Sequence, residues 1–453
     1  MLWIYGGLES RYMKGNKYLA LALSCILLFF TGCTGKNDNN KQIEGNNAIK
    51  LYLMEYTKPF MTKATKQFND QYPDHTLDIE YFDNKDECRK RLNTELLSGK
   101  GPDFVLFDTY TFNSIYKALK SGVFCDLNPF IEADESFDMG NYNKTVMDCG
   151  IFDGKRYMIP LEYYIDTFIT TEELLEENGI NINVQEWDIE HLTNTLKDFM
   201  DNGQARFFFD RQYPFSDYAV GSGIEFIDHE NSKCYFNTPQ FREVLNTYKD
   251  VFLKASVAND LRMKYGIKYW EMLKDNTAIT AGAVNSLQSI WVANSFLFDI
   301  FKCKGRAYPL PTYDKTAGYS ALPFDMVAIN SNSNHKEIAY DMIKFMLSKE
   351  LQLESSFYPV NEEAYDEQLK EYMGAAGNQI VNIKGTPLTT TVISEELAGD
   401  LTNIKNKLSR CIVRDEYIFD LLNDAAFKYV DGEYSEDQVI NELESKVMLY
   451  LNE

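Results

Sequence analysis

Carboxylates dominate the groups able to do chemistry in this chain, with 68 Asp and Glu against 45 Lys and Arg. Two carboxylates flanking a glycosidic bond suffice for hydrolysis. With so many acids such a pair can be drawn anywhere, so the count selects nothing. Four histidines, His75, His191, His229 and His335, stand in no catalytic pattern, and no HExxH, GxSxG or phosphate-cradling glycine loop occurs. Beyond Cys25 and Cys33, six cysteines (Cys88, Cys125, Cys149, Cys234, Cys303 and Cys411) are scattered without CxxC spacing. They read as buried thiols rather than metal ligands, and the spacing assigns no disulfide. Vicinal Tyr163 and Tyr164 offer hard phenolate donors for ferric iron, but no histidine lies near them. Neither a metal nor a cofactor is expected. Aromatic residues are plentiful, with 30 Tyr and 30 Phe, and tyrosine suits a surface that must be apolar and hydrogen-bonding at once.

Elements must position these groups. Ile49, Leu51 and Leu53 alternate as a strand, and Phe60, Ala64 and Phe68 fall on one face of a helix over 59–72. Leu77, Ile79 and Tyr81 alternate again, Cys88, Leu92 and Leu96 mark a second helix, and Phe104 to Phe107 is a continuous apolar run. This β-α-β-α-β order predicts a parallel sheet with right-handed crossovers. Ligands of such sheets sit beyond the carboxyl ends of the strands. Glu55-Tyr56 and Asp108-Thr109-Tyr110 follow the first and third strands, so Tyr56, Asp108 and Tyr110 are candidate ligand contacts. Asp108 could instead cap the next helix. Later helices carry clear punctuation: Thr170-x-x-Glu173 with Gly179 after it, Thr238-Pro239, and Ser435-x-x-Gln438.

The N-terminus has its own logic. Lys14 and Lys17 precede an apolar run from Leu19 to Phe30 that is too short for a permanent span of ~20 residues. It fits a secretory signal. The ending Phe30-Thr31-Gly32-Cys33 resembles a bacterial lipobox, although Phe30 stands where Leu is commoner, and Cys33 would receive the lipid. Met13-Lys14 reads as a natural start as much as Met1 does. Residues 34–47 are polar and read as a flexible tether. The chain carries a net charge of −23, and its first 33 residues are basic, so the remainder is more acidic still. Such a field argues against nucleic acid or anionic headgroups as partners.

From Leu97-Ser-Gly-Lys-Gly-Pro-Asp103 to Asp108 the chain resembles the extracellular solute-binding proteins of ABC importers, the maltose-binding-like family. Further matches follow in family order: Ala118 to Leu127 with Gly122 and Asp126, Asp153-Gly154-Lys155-Arg156-Tyr157 to Pro160, Trp187-Asp188, Ala328-Ile329-Asn330 with the segment Lys336 to Phe345, and the ending from Asp431-Gly432 onward. Where the family usually has Tyr-Asn-Lys, this chain has Ile169-Thr170-Thr171.

The resemblance implies an α/β, two-lobe, periplasmic-binding-protein-like fold of type II, each lobe a mainly parallel sheet flanked by helices. It places a signal in 1–33 and a tether in 34–47. One lobe would hold 48–161 plus 325–347, the other 162–322 plus 350–453, with crossings near 161–164, 322–324 and 347–350. It implies a monomeric lipoprotein on the extracellular face of a bacterial membrane that closes on a sugar and passes it to permease subunits. Sugars present apolar ring faces and hydroxyl edges, which aromatic platforms, carboxylates and amides match. The expected cleft residues are therefore Glu162, Tyr163 and Tyr164 at the first crossing, Asn285, Gln288 and Trp291 in the second lobe, and Asp325, beside Tyr56, Asp108 and Tyr110. Tyr163 and Trp291 would serve equally as core, and Asp325 as a turn residue. The rival expectations are a lipid-anchored glycoside hydrolase and a purely structural surface protein.

Overall fold

Alternation in Ile49-Lys50-Leu51-Tyr52-Leu53 puts Ile49, Leu51 and Leu53 into one core and Tyr52 into another on the opposite side of the sheet. The computed structural model describes residues 48–453 except 109, 113, 202–205, 266–269, 283, 316–317, 375–376, 378 and 384–385, and except the side chains of Tyr56, Pro59, Phe60, Lys63, Ile383 and Thr386. The expected signal, the tether and Cys33 lie outside the described residues.

Eighteen strands are described, in chain order β1 (Ala48–Met54), β2 (Thr76–Phe82), β3 (Phe104–Asp108), β4 (Ile151–Phe152), β5 (Lys155–Arg156), β6 (Ile159–Pro160), β7 (Glu162–Tyr164), β8 (Thr167–Thr171) and β9 (Ile227–Asp228). Then come β10 (Lys233–Cys234), β11 (Ala281–Gly282), β12 (Gly305–Pro309), β13 (Tyr319–Pro323), β14 (Asp325–Ile329), β15 (Tyr358–Pro359), β16 (Ile380–Ile383), β17 (Thr386–Thr389) and β18 (Leu408–Cys411).

The first sheet has the order β2-β1-β3-β14-β6. Its β2, β1 and β3 are parallel, joined through the helices Lys58–Gln71 and Lys85–Leu97. Strand β14 returns from far along the chain and lies antiparallel to β3, with Asp325 opposite Asp108 and Ile329 opposite Phe104. One face of this sheet buries Ile49, Phe104 and Val327, and the other buries Val105, Phe107 and Met326. The tight hairpin β4–β5 turns on Asp153 and Gly154, both at positive φ (51° and 72°). The Asp-Gly pair is the chemistry such a turn requires.

The second sheet, β11-β8-β12, differs from the mainly parallel expectation. Both neighbours of β8 are antiparallel to it. The reason is directional: β8 enters this lobe at Thr167 and runs outward, so β11 and β12 return toward the entry point. Its core is rich in rings, including Phe168, Phe208, Phe209, Phe241 and Phe252. The helix after β8 also starts one residue later than the sequence pattern suggests. Thr171 is its N-cap, accepting from Leu174 N, while Thr170 is held in β8 and donates to Ile279 O at 2.6 Å.

A third sheet, β15-β7-β13-β18, joins the two bodies. Two of the expected crossings pair with each other here, Leu322 with Tyr164 and Pro323 with Tyr163. The helix Glu416–Val430 and the C-terminal helix Glu436–Asn452 pack together against the second lobe. Among the described residues no helix is long and apolar enough to cross a membrane.

Candidate functional site between the lobes

Strand β3 ends on Asp108, whose carboxylate is fully engaged. Its Oδ1 accepts from Tyr110 N (3.0 Å) and Thr111 Oγ1 (2.8 Å), and its Oδ2 pairs with Lys85 Nζ at 2.6 Å. Two cations approach the Tyr110 ring, Lys85 Nζ at 4.9 Å and Arg414 Cζ at 5.2 Å from its centroid. Asp325 stands across the ladder from Asp108. Burial, then the carboxylates of Glu162 and Asp108, push Asp325 well above the usual carboxylate range, and Lys85 opposes the shift. A carboxyl kept neutral this way donates a hydrogen bond as well as accepting one. A cavity of about 50 Å³ opens at this edge, lined by Met54, Lys85, Phe107, Asp108 and Asp325 among others.

The crossing strand β7 splits its three candidates. Glu162 is buried, and its Oε2 accepts from Ser356 N (2.9 Å) and Phe357 N (3.1 Å). Burial pushes it up to about 7, with the Phe357 and Ser356 N–H groups pulling back. Tyr163 points the other way, 1% exposed and packed on Tyr358, so in this conformation it is core. Tyr164 is half-buried beside Phe357 (5.8 Å), which also packs on Phe324 (4.3 Å), giving a three-ring platform.

The second lobe contributes Asp166, just ahead of β8. Burial and then Asp217 raise its carboxyl to about 7, against the pull of Arg211 and Arg414. Arg414 is buried, pairs with Asp217 (3.0 Å) and Glu416 (2.8 Å), and reaches Tyr110 of the first lobe. Asp210 accepts from Gly282 N at 2.8 Å and so ties down the end of β11.

The trio Asn285, Gln288 and Trp291 is not brought together. Asn285 is buried one residue past Val284, whose N–H bonds Thr167 O at the entry to β8. Gln288 is exposed on the helix Leu287–Phe301. Trp291 is core against Tyr372, at 5.2 Å, because helical spacing carries it to the packed face. Tyr56 lies in the 3-10 turn Glu55–Thr57, and its side chain is outside the described residues.

Thus Asp108, Tyr110, Glu162, Tyr164 and Asp325 converge, together with Lys85, Asp166, Asp217, Phe357 and Arg414, which sequence reasoning missed. Asp166 carried a faint local signal, as an acid set between apolar Ile165 and a strand. Arg414 carried none, since Asp217 and Tyr110, the partners that place it in the site, are remote in sequence. Among the described residues no cluster of three His, Cys, Asp or Glu is disposed to hold a metal ion.

The chain belongs to the family of bacterial extracellular solute-binding proteins, whose sequence profile matches residues 53–353. Its fold is the two-lobe α/β fold of the periplasmic binding proteins. The sugar-binding protein MalE from Xanthomonas citri is similar over 90% of this chain and 98% of its own, with a TM-score of 0.68 at 14% identity. An ABC substrate-binding protein from Listeria monocytogenes in complex with cycloalternan covers 90% and 99%, with a TM-score of 0.61 at 16% identity. An ABC transporter solute-binding protein from Thermotoga lettingae bound with α-D-tagatose covers 89% and 100%, with a TM-score of 0.58 at 15% identity.

Proposed function

We propose that this protein captures a carbohydrate, an oligosaccharide by preference, between its two lobes and hands it to the transmembrane subunits of an ABC importer. It acts as a monomer on the extracellular face, held by acyl chains on Cys33. Two chains suffice for durable anchoring, at about 0.8 kcal/mol per buried CH₂. The lobes comprise 48–161 with 325–347, and 162–322 with 350–453.

One observation carries the reading: the rings of Tyr110, Tyr164 and Phe357 gather with the cations Lys85 and Arg414 and near the carboxyl groups of Asp108, Asp166 and Asp217, at the ends of β3 and β7 and the start of β8. Apolar faces edged by donors and acceptors fit a sugar ring and its hydroxyls. Of the three similar structures above, two hold a sugar and the third is a sugar-binding protein, which supports the same ligand class here. A ligand touching both lobes has differential affinity for the closed arrangement and shifts the hinge equilibrium toward it.

Catalysis is the weaker reading because Glu162, the best buried acid, spends one oxygen on two backbone N–H groups. Thermal melting against a panel of mono- and oligosaccharides, with product analysis in the same wells, tests the proposal. A raised melting temperature without sugar breakdown is expected. No shift with any sugar, or turnover of one, defeats it. Tyr110→Ala and Tyr164→Ala should each weaken the best ligand at least about tenfold, ~1.4 kcal/mol.

A further inference from the structure

Two thiols meet where the first lobe touches the joining sheet. Cys149 lies in the 3-10 turn Asp148–Gly150, and Cys411 ends β18, 262 positions later in the chain. The two elements pack directly on each other, and the Cys149 side chain lies near enough to act on the Cys411 thiol. Both residues are partly exposed.

Each backbone is pinned. The guanidinium of Arg156 bonds Met147 O and Asp148, holding the turn. Thr145 Oγ1 reaches Leu408 O at 3.5 Å, tying the same region to β18. On the other side Cys411 sits in register with Ala321, and Ile412 N donates to Ala321 O at 2.9 Å. Two free cysteines on pinned backbones, in elements already packed together, need little motion to bond.

We propose that Cys149 and Cys411 form a disulfide when the protein encounters an oxidising exterior, where such bonds persist. The oxidant is a small external disulfide such as oxidised glutathione. The Cys149 thiolate attacks one of its sulfurs, forming a mixed disulfide and expelling one glutathione thiolate, which takes up a proton. The Cys411 thiolate then attacks the Cys149 sulfur and expels the second glutathione. Two protein thiols are oxidised, the external disulfide is reduced to two thiols, and one S–S bond replaces another. Burial, then the neighbouring Cys149, hold the Cys411 thiol well above its ordinary value, which disfavours Cys411 as the first attacker.

The bond would fix the end of β18 to the first lobe. Arg414 follows three residues later, and its guanidinium crosses to Tyr110 and Asp217. The cross-link therefore steadies the segment that carries Arg414 into the site. It does not depend on what ligand the site takes, so it is tested without one.

The purified protein is incubated with oxidised glutathione, its remaining thiols are alkylated, and peptides are mapped without reduction. The expected result is one cross-linked peptide pair joining Cys149 to Cys411, with Cys88, Cys125, Cys234 and Cys303 alkylated. Melting should rise by about 5 °C over the dithiothreitol-treated protein. Cys149→Ala and Cys411→Ala should each abolish both changes while keeping the far-ultraviolet spectrum of the parent. Full alkylation of both cysteines, glutathione retained on either one, or a cross-link to any other cysteine overturns the proposal. The mapping on the unaltered protein decides the matter even where a variant does not fold.

Discussion

Glu162 shows how one side chain reports its surroundings. Its usual value lies near 4.5, and burial carries it to about 7 in the fold. The folded state therefore binds more protons than the unfolded chain between those values. The stability this provides is complete below about 4.5 and is lost as pH rises through about 7. Asp166 and Asp415, also raised to about 7, act with the same sign. Urea midpoints should accordingly fall between pH 5 and pH 8. Glu162→Gln keeps an acceptor for Ser356 and Phe357 but cannot ionise. It should match the parent at pH 5, exceed it at pH 8, and show a flatter profile. Glu162→Ala leaves both N–H groups without their acceptor and should cost about 1–3 kcal/mol at either pH. A Gln variant with the parent's full pH slope would assign the slope to other groups.

At the scale of elements, local rules hold wherever no neighbour competes. Ser435 and Gln438 form the reciprocal cap of the last helix, Ser435 N donating to Gln438 Oε1 at 2.8 Å and Gln438 N to Ser435 Oγ at 3.3 Å. Ser435→Ala should lower stability by about 1 kcal/mol in chemical denaturation. Thr238 caps its helix in one direction only, its Oγ1 accepting from Phe241 N at 3.2 Å. Thr170 is the exception, because pairing of β8 with β12 extends through Thr171 and claims it for the sheet. Tertiary pairing outranked the local cap by a single residue.

On the scale of the whole molecule, the lobes also meet away from the joining sheet. His229, beside Ile227 of the second lobe's core, stacks on Tyr116 of the first at 3.5 Å between ring centroids. Tyr450 bonds Ser114, and Lys117 pairs with Glu453 at 3.3 Å nearby. Burial, then Lys120, depresses His229 from 6.5 to about 3, with Asp228 opposing. A depressed value means the contact is at full strength above about 6.5 and weakens as pH falls toward about 3. Small-angle scattering should show the radius of gyration growing between pH 6.5 and pH 4.5. His229→Phe keeps a stacked ring without a titrating group and should stay compact over that range. Equal expansion of both proteins would exclude the His229 contact as the cause.

Much of this was legible in the chain. The parallel β-α-β-α-β start, the caps at Thr238 and Ser435, and Asp108 at a strand end all rest on patterns that periodicity and capping chemistry encode. Family order along the chain identified the two-lobe class. What sequence could not decide was which side of an element faces the cleft. Adjacent Glu162, Tyr163 and Tyr164 share a composition, yet β7 alternates, so Tyr163 packs on Tyr358 while Tyr164 meets Phe357. Trp291 went to the core for the matching reason on a helix. Arg414 reaches Tyr110 across some three hundred residues, and Cys149 reaches Cys411 across nearly as many. Those pairings come from how the joining sheet folds the chain back on itself, and no local pattern carries that information.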